Sequence, residues 1–161
     1  MPDALFAIEP ARTADDLAAV ANLFREYEAS IQIDLCFQDF EAELASLPGK
    51  YAPPHGELLL ARDAQDKPIG CVALRPSDRG CEMKRLYVSP PGRGMGLGKA
   101  LMNAIIDEAK RIGYQEICLD TLPTMVEAIS LYQKNGFEAT DPYYDTPIDG
   151  TIFMRRVLST T

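Results

Sequence analysis

The sequence predicts a single α/β (α+β) domain, a central mixed, mostly antiparallel, twisted sheet of about seven strands flanked by about four helices. Three observations predict it. The chain has 161 residues, enough for one well-buried core and too few for two. Hydrophobic residues make up 47% and charged residues 25%, the balance of a folded globular chain rather than a disordered one. The hydrophobic periodicity also switches repeatedly between helical and strand spacing, in the order strand, helix, helix, three strands, helix, strand, helix, two strands.

Each element has a local cause. ALFAIE (4 to 9) reads as the first strand, and Thr13-Ala-Asp-Asp16 as a near capping box opening a helix along Leu17, Val20, Ala21, Phe24, Tyr27 and Ile31. Phe37, Phe40, Leu44 and Leu47 suggest a shorter second helix stopped by Pro48-Gly49. ELLLAR (57 to 62) and IGCVALR (69 to 75) form a hairpin across a polar turn, and CEMKRLYV (81 to 88) is the third consecutive strand. Leu97, Ala100, Leu101, Ala104, Ile105 and Ile112 trace a helix that Gly113 stops. EICLDT (116 to 121) is a strand. Thr124-Met-Val-Glu127 reads as a capping box opening another helix, which Gly136 ends. A strand near 137 to 140, a Pro-rich aromatic loop and a strand at 151 to 158 complete the chain.

Between the strand ending at Val88 and the helix beginning near Leu97 lies PPGRGMGLGKALM (90 to 102), with Gly92, Gly94, Gly96 and Gly98 in alternate positions. A strand, a glycine turn and a helix aim unpaired N–H groups and a positive helix end at one spot, which suits a phosphate. Spacing removes two common owners of such a turn. A P-loop needs glycine where Arg93 stands and Ser or Thr where Ala100 stands. The dinucleotide pattern G-x-G-x-x-G fails from each starting glycine, its last position falling on Leu97, Lys99 or Leu101.

The stretch does match R-x-x-G-x-G, as Arg93, Gly96 and Gly98. Together with EMKRLYVSPPGRGMGLG and LYQKNGF (131 to 137), it resembles the coenzyme-binding region of the GNAT superfamily of N-acetyltransferases. The resemblance is specific over residues 80 to 137 and follows by element order over nearly all of 1–161, one N-acetyltransferase-like domain. It implies a cleft where the fourth and fifth strands splay apart, with acetyl-CoA as cosubstrate and no metal. The pantetheine arm would pair with main-chain groups of Leu86 and Val88, whose side chains pack in the core. Arg93, Gly94, Met95, Gly96, Leu97, Gly98 and Lys99 would cradle the pyrophosphate. Tyr132 stands where the family places a tyrosine near the thioester sulfur, so it is a candidate both for coenzyme contact and for protonating the departing thiolate.

An amine of pKa about 10.4 costs roughly 4.6 kcal/mol to deprotonate at pH 7, so a base is useful. The resemblance implies Glu82, on the fourth strand eleven residues before Arg93, where some family members carry a glutamate base, acting directly or through a water chain; the alternative is a glutamate fixed by Lys84 or Arg85. Strand alternation puts Glu82 and Lys84 on one face and Arg85 on the other unless a bulge intervenes. Arg85 would pair with a sheet carboxylate or bind a carboxylate of the acceptor. The resemblance implies that the loop DPYYDTPIDG, with Tyr143 and Tyr144, lines the acceptor pocket, which Phe37 of the second helix would face.

The net charge of −8 disfavours a nucleic-acid partner. No run of about 20 apolar residues suggests a membrane span, and the N-terminus lacks a secretory pattern, so the expected location is cytoplasmic. Cys36, Cys71, Cys81 and Cys118 show no metal or redox spacing and read as buried thiols. The single histidine, His55, has no neighbouring ligand types. The expected function is transfer of acetyl from acetyl-CoA directly to a primary amine of a small molecule or peptide. The alternative is a coenzyme A binding or sensing module without catalysis. The family also leads one to expect a homodimer.

Overall fold

The computed structural model describes residues 5–31, 40–78, 80–146 and 148–158. Their elements run β1 (Phe6–Pro10), α1 (Ala14–Ile31), α2 (Phe40–Ala45), β2 (Glu57–Asp63), β3 (Pro68–Ser77), β4 (Gly80–Val88), α3 (Leu97–Ile112), β5 (Glu116–Thr121), α4 (Val126–Lys134), β6 (Glu138–Ala139) and β7 (Ile152–Val157). The strands form one seven-stranded sheet in the order β1-β2-β3-β4-β5-β7-β6. Every pairing is antiparallel except that of β4 with β5. No helix among the described residues is long and apolar enough to cross a membrane.

The capping box at the start of α1 forms as its residue types require. The Asp16 N–H donates to Thr13 Oγ1 at 3.0 Å, while the N–H groups of Arg12 and Thr13 donate back to Asp16 Oδ2 at 3.0 and 3.2 Å. These main-chain donors, helped by Arg62, hold the Asp16 carboxyl at about 2, well below its ordinary range. The box expected at Thr124 does not form. A turn in which the Met125 N–H reaches the Leu122 carbonyl delays α4, whose N-terminal flanking residue is Met125 without a side-chain cap. Thr124 is thereby left one position too early.

The two faces of the sheet bury different cores. Against one face lies α3, whose Leu97, Leu101, Met102, Ile105, Ile106 and Ala109 pack on Leu59, Val72, Leu74, Met83, Ile117 and Leu119. The approach is close at Gly70, where a Cβ would stand 3.0 Å from both Leu97 and Leu101. Against the other face lie α1 and α2, with Val20, Leu23, Phe24, Phe40 and Tyr51 on Leu58, Leu60, Cys71, Ala73 and Tyr87. Cys71, Cys81 and Cys118 are buried free thiols; Cys36 lies outside the described residues.

β4 departs from simple alternation. Lys84 opposes Ala73, yet Tyr87 opposes Cys71, so Arg85 and Leu86 together stand against Val72 in a bulge. Arg85 adopts φ 59°, uncommon for a residue with a side chain. The bulge corrects the alternation expected for Glu82, Lys84 and Arg85. Cys81 and Met83 face α3 with Leu86 and Val88, whereas Arg85 turns to the α1–α2 side, where Glu43 and Phe40 receive it.

Candidate active site

β4 is bonded to β3 from Gly80 to Val88, but its parallel pairing with β5 ends after two positions, Cys81↔Ile117 and Glu82↔Cys118. β5 stays with β7 along all six of its residues. The strands therefore open into a V, and no described strand pairs with the β5-side edge of β4 from Met83 to Val88. The bulge supplies the bend. Leu86 and Val88 lie along this edge, half-buried, with side chains against the α3-side core.

That edge runs directly into the glycine turn. A short 3-10 turn at Pro90–Gly92 leads to Arg93, after which Gly94 and Gly96 take φ 85° and 75° and α3 begins at Leu97. Added Cβ atoms at both glycines would meet nothing within 4 Å, so positive φ, rather than lack of space, requires glycine there. Gly98 has ordinary helical φ, and its Cβ would stand 3.8 Å from Val88. The Ala100 N–H donates to the Gly96 carbonyl at 3.1 Å, so the N–H groups of Leu97, Gly98 and Lys99 precede the helical ladder. Met95 tucks against the core. The Arg93 and Lys99 side chains are exposed, and Arg93 Nε donates to the Val88 carbonyl at 3.3 Å.

Charged side chains concentrate on the α1–α2 face of β4. Glu82 is 1% exposed. Its Oε1 accepts from Arg75 Nε and lies 2.8 Å from Arg75 Nη2, and its Oε2 accepts from the Tyr143 hydroxyl at 2.7 Å. The residues fixing Glu82 are thus Arg75 and Tyr143, with Lys84 Nζ at 4.0 Å; Arg85 does not bond to it. Instead Arg85 forms a two-point ion pair with Glu43 of α2, Nε to Oε2 at 3.1 Å and Nη2 to Oε1 at 3.0 Å. Its carboxylate partner comes from a helix, whereas the sequence pointed to the sheet or a substrate.

Tyr143 and Tyr144 both pack edgewise against Phe153 of β7. The Tyr144 hydroxyl hydrogen-bonds to Asp120 of β5. With Lys50, Arg75, Ser77 and Glu82 the two tyrosines line a cavity of about 450 Å³, within the usual range for small-molecule sites. Burial, with Glu82 next, drives the Tyr143 hydroxyl far above its ordinary range. Phe37 lies outside the described residues.

Tyr132 projects from α4 to the wall of the V beside Lys84, Leu86 and Asp120, its ring edge-to-face with Phe137 at 5.7 Å. Burial raises its hydroxyl above its ordinary range, so at neutral pH it stays protonated. Sequence reading brought Tyr132, Glu82, Tyr143 and Tyr144 to the cleft. It missed Arg75, Asp120 and Glu43. The sequence signal for Asp120 is an acidic residue in phase with Cys118 on the strand EICLDT; Arg75 and Glu43 carry none, since each matters through a partner distant in the chain.

A sheet antiparallel except for one splayed parallel pair, with a glycine turn and helix N-terminus closing the V, is the fold of an acyl-CoA-dependent N-acyltransferase. A family model, the acetyltransferase (GNAT) family, matches residues 17–137. An uncharacterized N-acetyltransferase of Schizosaccharomyces pombe is 42% identical over 155 residues, covering 95% of each chain. A putative acyl-CoA N-acyltransferase from Klebsiella pneumoniae superposes with a TM-score of 0.75 at 26% identity, over 98% of this chain and 100% of that one. The PaiA N-acetyltransferase of Thermoplasma acidophilum, solved in complex with coenzyme A, shares the fold with a TM-score of 0.73 at 21% identity, over 95% and 99%. The chain belongs to the GNAT family of acetyltransferases, enzymes that transfer an acyl group from acetyl-CoA.

Proposed function

We propose that this chain transfers acetyl from acetyl-CoA directly to a primary amine of a small molecule or peptide bound in the cavity beside Glu82. One observation carries the reading. The open β4 edge ends at the glycine turn on one side and, at its vertex, meets Glu82 and the cavity on the other. The edge gives main-chain groups of Leu86 and Val88 to the pantetheine arm. Main-chain groups from Arg93 to Lys99, with the positive end of α3, hold the pyrophosphate, and the Arg93 and Lys99 side chains add charge.

The acceptor lies against Tyr143 and Tyr144. Its proton leaves through Tyr143, which gives its own proton to Glu82 Oε2 across the 2.7 Å hydrogen bond, and the amine attacks the thioester carbonyl. A main-chain N–H of β4 polarises that carbonyl. The carbon–sulfur bond then breaks, Tyr132 protonates the sulfur, and the proton that the adduct nitrogen loses on becoming an amide restores the Tyr132 hydroxyl. Arg75 fixes the Glu82 carboxylate on the side away from Tyr143.

The test is release of free coenzyme A thiol from acetyl-CoA across a panel of primary amines. Release that depends on one amine class, and falls sharply in Tyr132→Phe, is expected. Tight coenzyme binding without release on any amine would assign a coenzyme sensor instead.

A further inference from the structure

Lys84 has no part in the reading above, although its location is unusual. A cation on a central strand needs a reason, and Lys84 is 8% exposed. The last bonded pair of the V is Glu82 with Cys118. The next residues on the same face of the diverging strands are Lys84 and Asp120, one on each arm at the vertex. They share a space of about 20 Å³ with Tyr27, Arg85, Leu86, Met125 and Tyr132, room for about one water-sized group such as an oxyanion. The pantetheine arm, if it follows the β4 edge past Leu86, delivers its sulfur and acyl carbon to this point.

We propose that Lys84 is a catalytic residue whose ammonium, positioned by Asp120, neutralises the anion that develops on the reacting thioester. This rests on the coenzyme placement above and adds a residue to it. The balance is unchanged: the carbon–nitrogen bond forms, the carbon–sulfur bond breaks, and sulfur leaves with the electron pair. The amine proton goes to Glu82 through Tyr143. What Lys84 changes is the charge facing the oxyanion and then the thiolate.

The surroundings favour such a role over a purely structural pair. Tyr132, the nearby proton donor, has its hydroxyl raised by burial and so gives up its proton reluctantly; a fixed cation relieves that demand. The charged and titratable groups around Lys84 come from several elements: Glu82 and Arg85 of β4, Arg75 of β3, Asp120 of β5, Tyr27 of α1 and Tyr132 of α4. Burial lowers the Lys84 ammonium from its ordinary range, while Asp120 and then Glu82 act to keep it charged. Arg85 also lines this space, but its Nε and Nη2 are held by Glu43.

The direct probe is coenzyme A itself, titrated while bound to the protein, with thiolate read by ultraviolet absorbance. A cation at the vertex lowers the bound thiol below the value of about 8.5 for a free thiol. We expect that depression in the wild type and in Lys84→Arg, and its loss in Lys84→Gln. In amine transfer, Lys84→Gln is expected to lower kcat by about 100-fold with little change in KM for acetyl-CoA, and Lys84→Arg to recover most of the loss. A bound wild-type thiol that titrates at or above the free value overturns the proposal, whether or not the glutamine variant folds. So does an equal depression in wild type and Lys84→Gln. Absence of transfer on every amine would sink the proposed function but leave the thiol titration to decide Lys84.

Discussion

The two faces of β4 make an instructive contrast. Toward α3 it presents Cys81, Met83, Leu86 and Val88, joined to one continuous apolar core. Toward α1 and α2 it presents Glu82, Lys84, Arg85 and Tyr87, three of them ionisable with charge and all buried. The first face is bought by nothing more specific than apolar area, about 25 cal/mol per Å² removed from water. The second is held by directed contacts: Arg75 and Tyr143 on Glu82, Glu43 on Arg85, Glu26 on the Tyr87 hydroxyl. Buried ion pairs add little net stability, and it is this polar face that the proposed function uses. In the proposed function, stability and reaction are thus divided between the two faces of one strand, whose alternation is interrupted by the bulge at Arg85 and Leu86.

Substitutions on either face can break that division. The largest effect is expected from Glu82→Gln, which should lower kcat about a thousandfold in thiol-release assays while the protein stays folded by thermal melting. A variant retaining full turnover would remove Glu82 from the proton path. On the opposite face, Leu101→Ala should cost about 3 kcal/mol of stability, read from denaturant unfolding, with kcat per folded molecule unchanged. A fall in kcat matching that of Glu82→Gln would mean the faces are not separable.

Smaller effects sharpen the contrast at the glycine turn. Gly96→Ala forces a side chain onto φ 75°, a strain of about 1–2 kcal/mol, and should raise KM for acetyl-CoA about tenfold at unchanged kcat. Gly98→Ala, with helical φ and 3.8 Å of clearance from Val88, should have the weaker effect; equal effects would show that access, not backbone angle, sets the requirement.

The smallest effect lies far from the site. Asp16 is held at about 2 in the folded protein and near 3.9 when unfolded. Its contribution is therefore present above the unfolded value and lost as pH falls through the folded one. The stability difference between wild type and Asp16→Ala should be largest near neutrality and close between about pH 4 and pH 2. A gap independent of pH would assign the effect to helix capping by shape alone.

The sequence by itself determined most of the elements and the glycine turn before α3. Apolar spacing at two periods gave α1, α3 and the strands, because period alone decides which residues share a face. The turn from Arg93 to Gly98 was legible because its requirement is local: glycine at positive φ before a helix start. Tyr132 and Glu82 were singled out through the family resemblance, and both stand along the V. Where a local rule met a competing turn, at Thr124, the rule failed. Only the tertiary structure decided the bulge that turns Arg85 toward Glu43, the point where β4 leaves β5, and the meeting of Arg75, Asp120 and Tyr143 with strand residues far away in sequence. Those contacts depend on sheet order and on a one-residue register shift, and a chain read in sequence contains neither until its strands have paired.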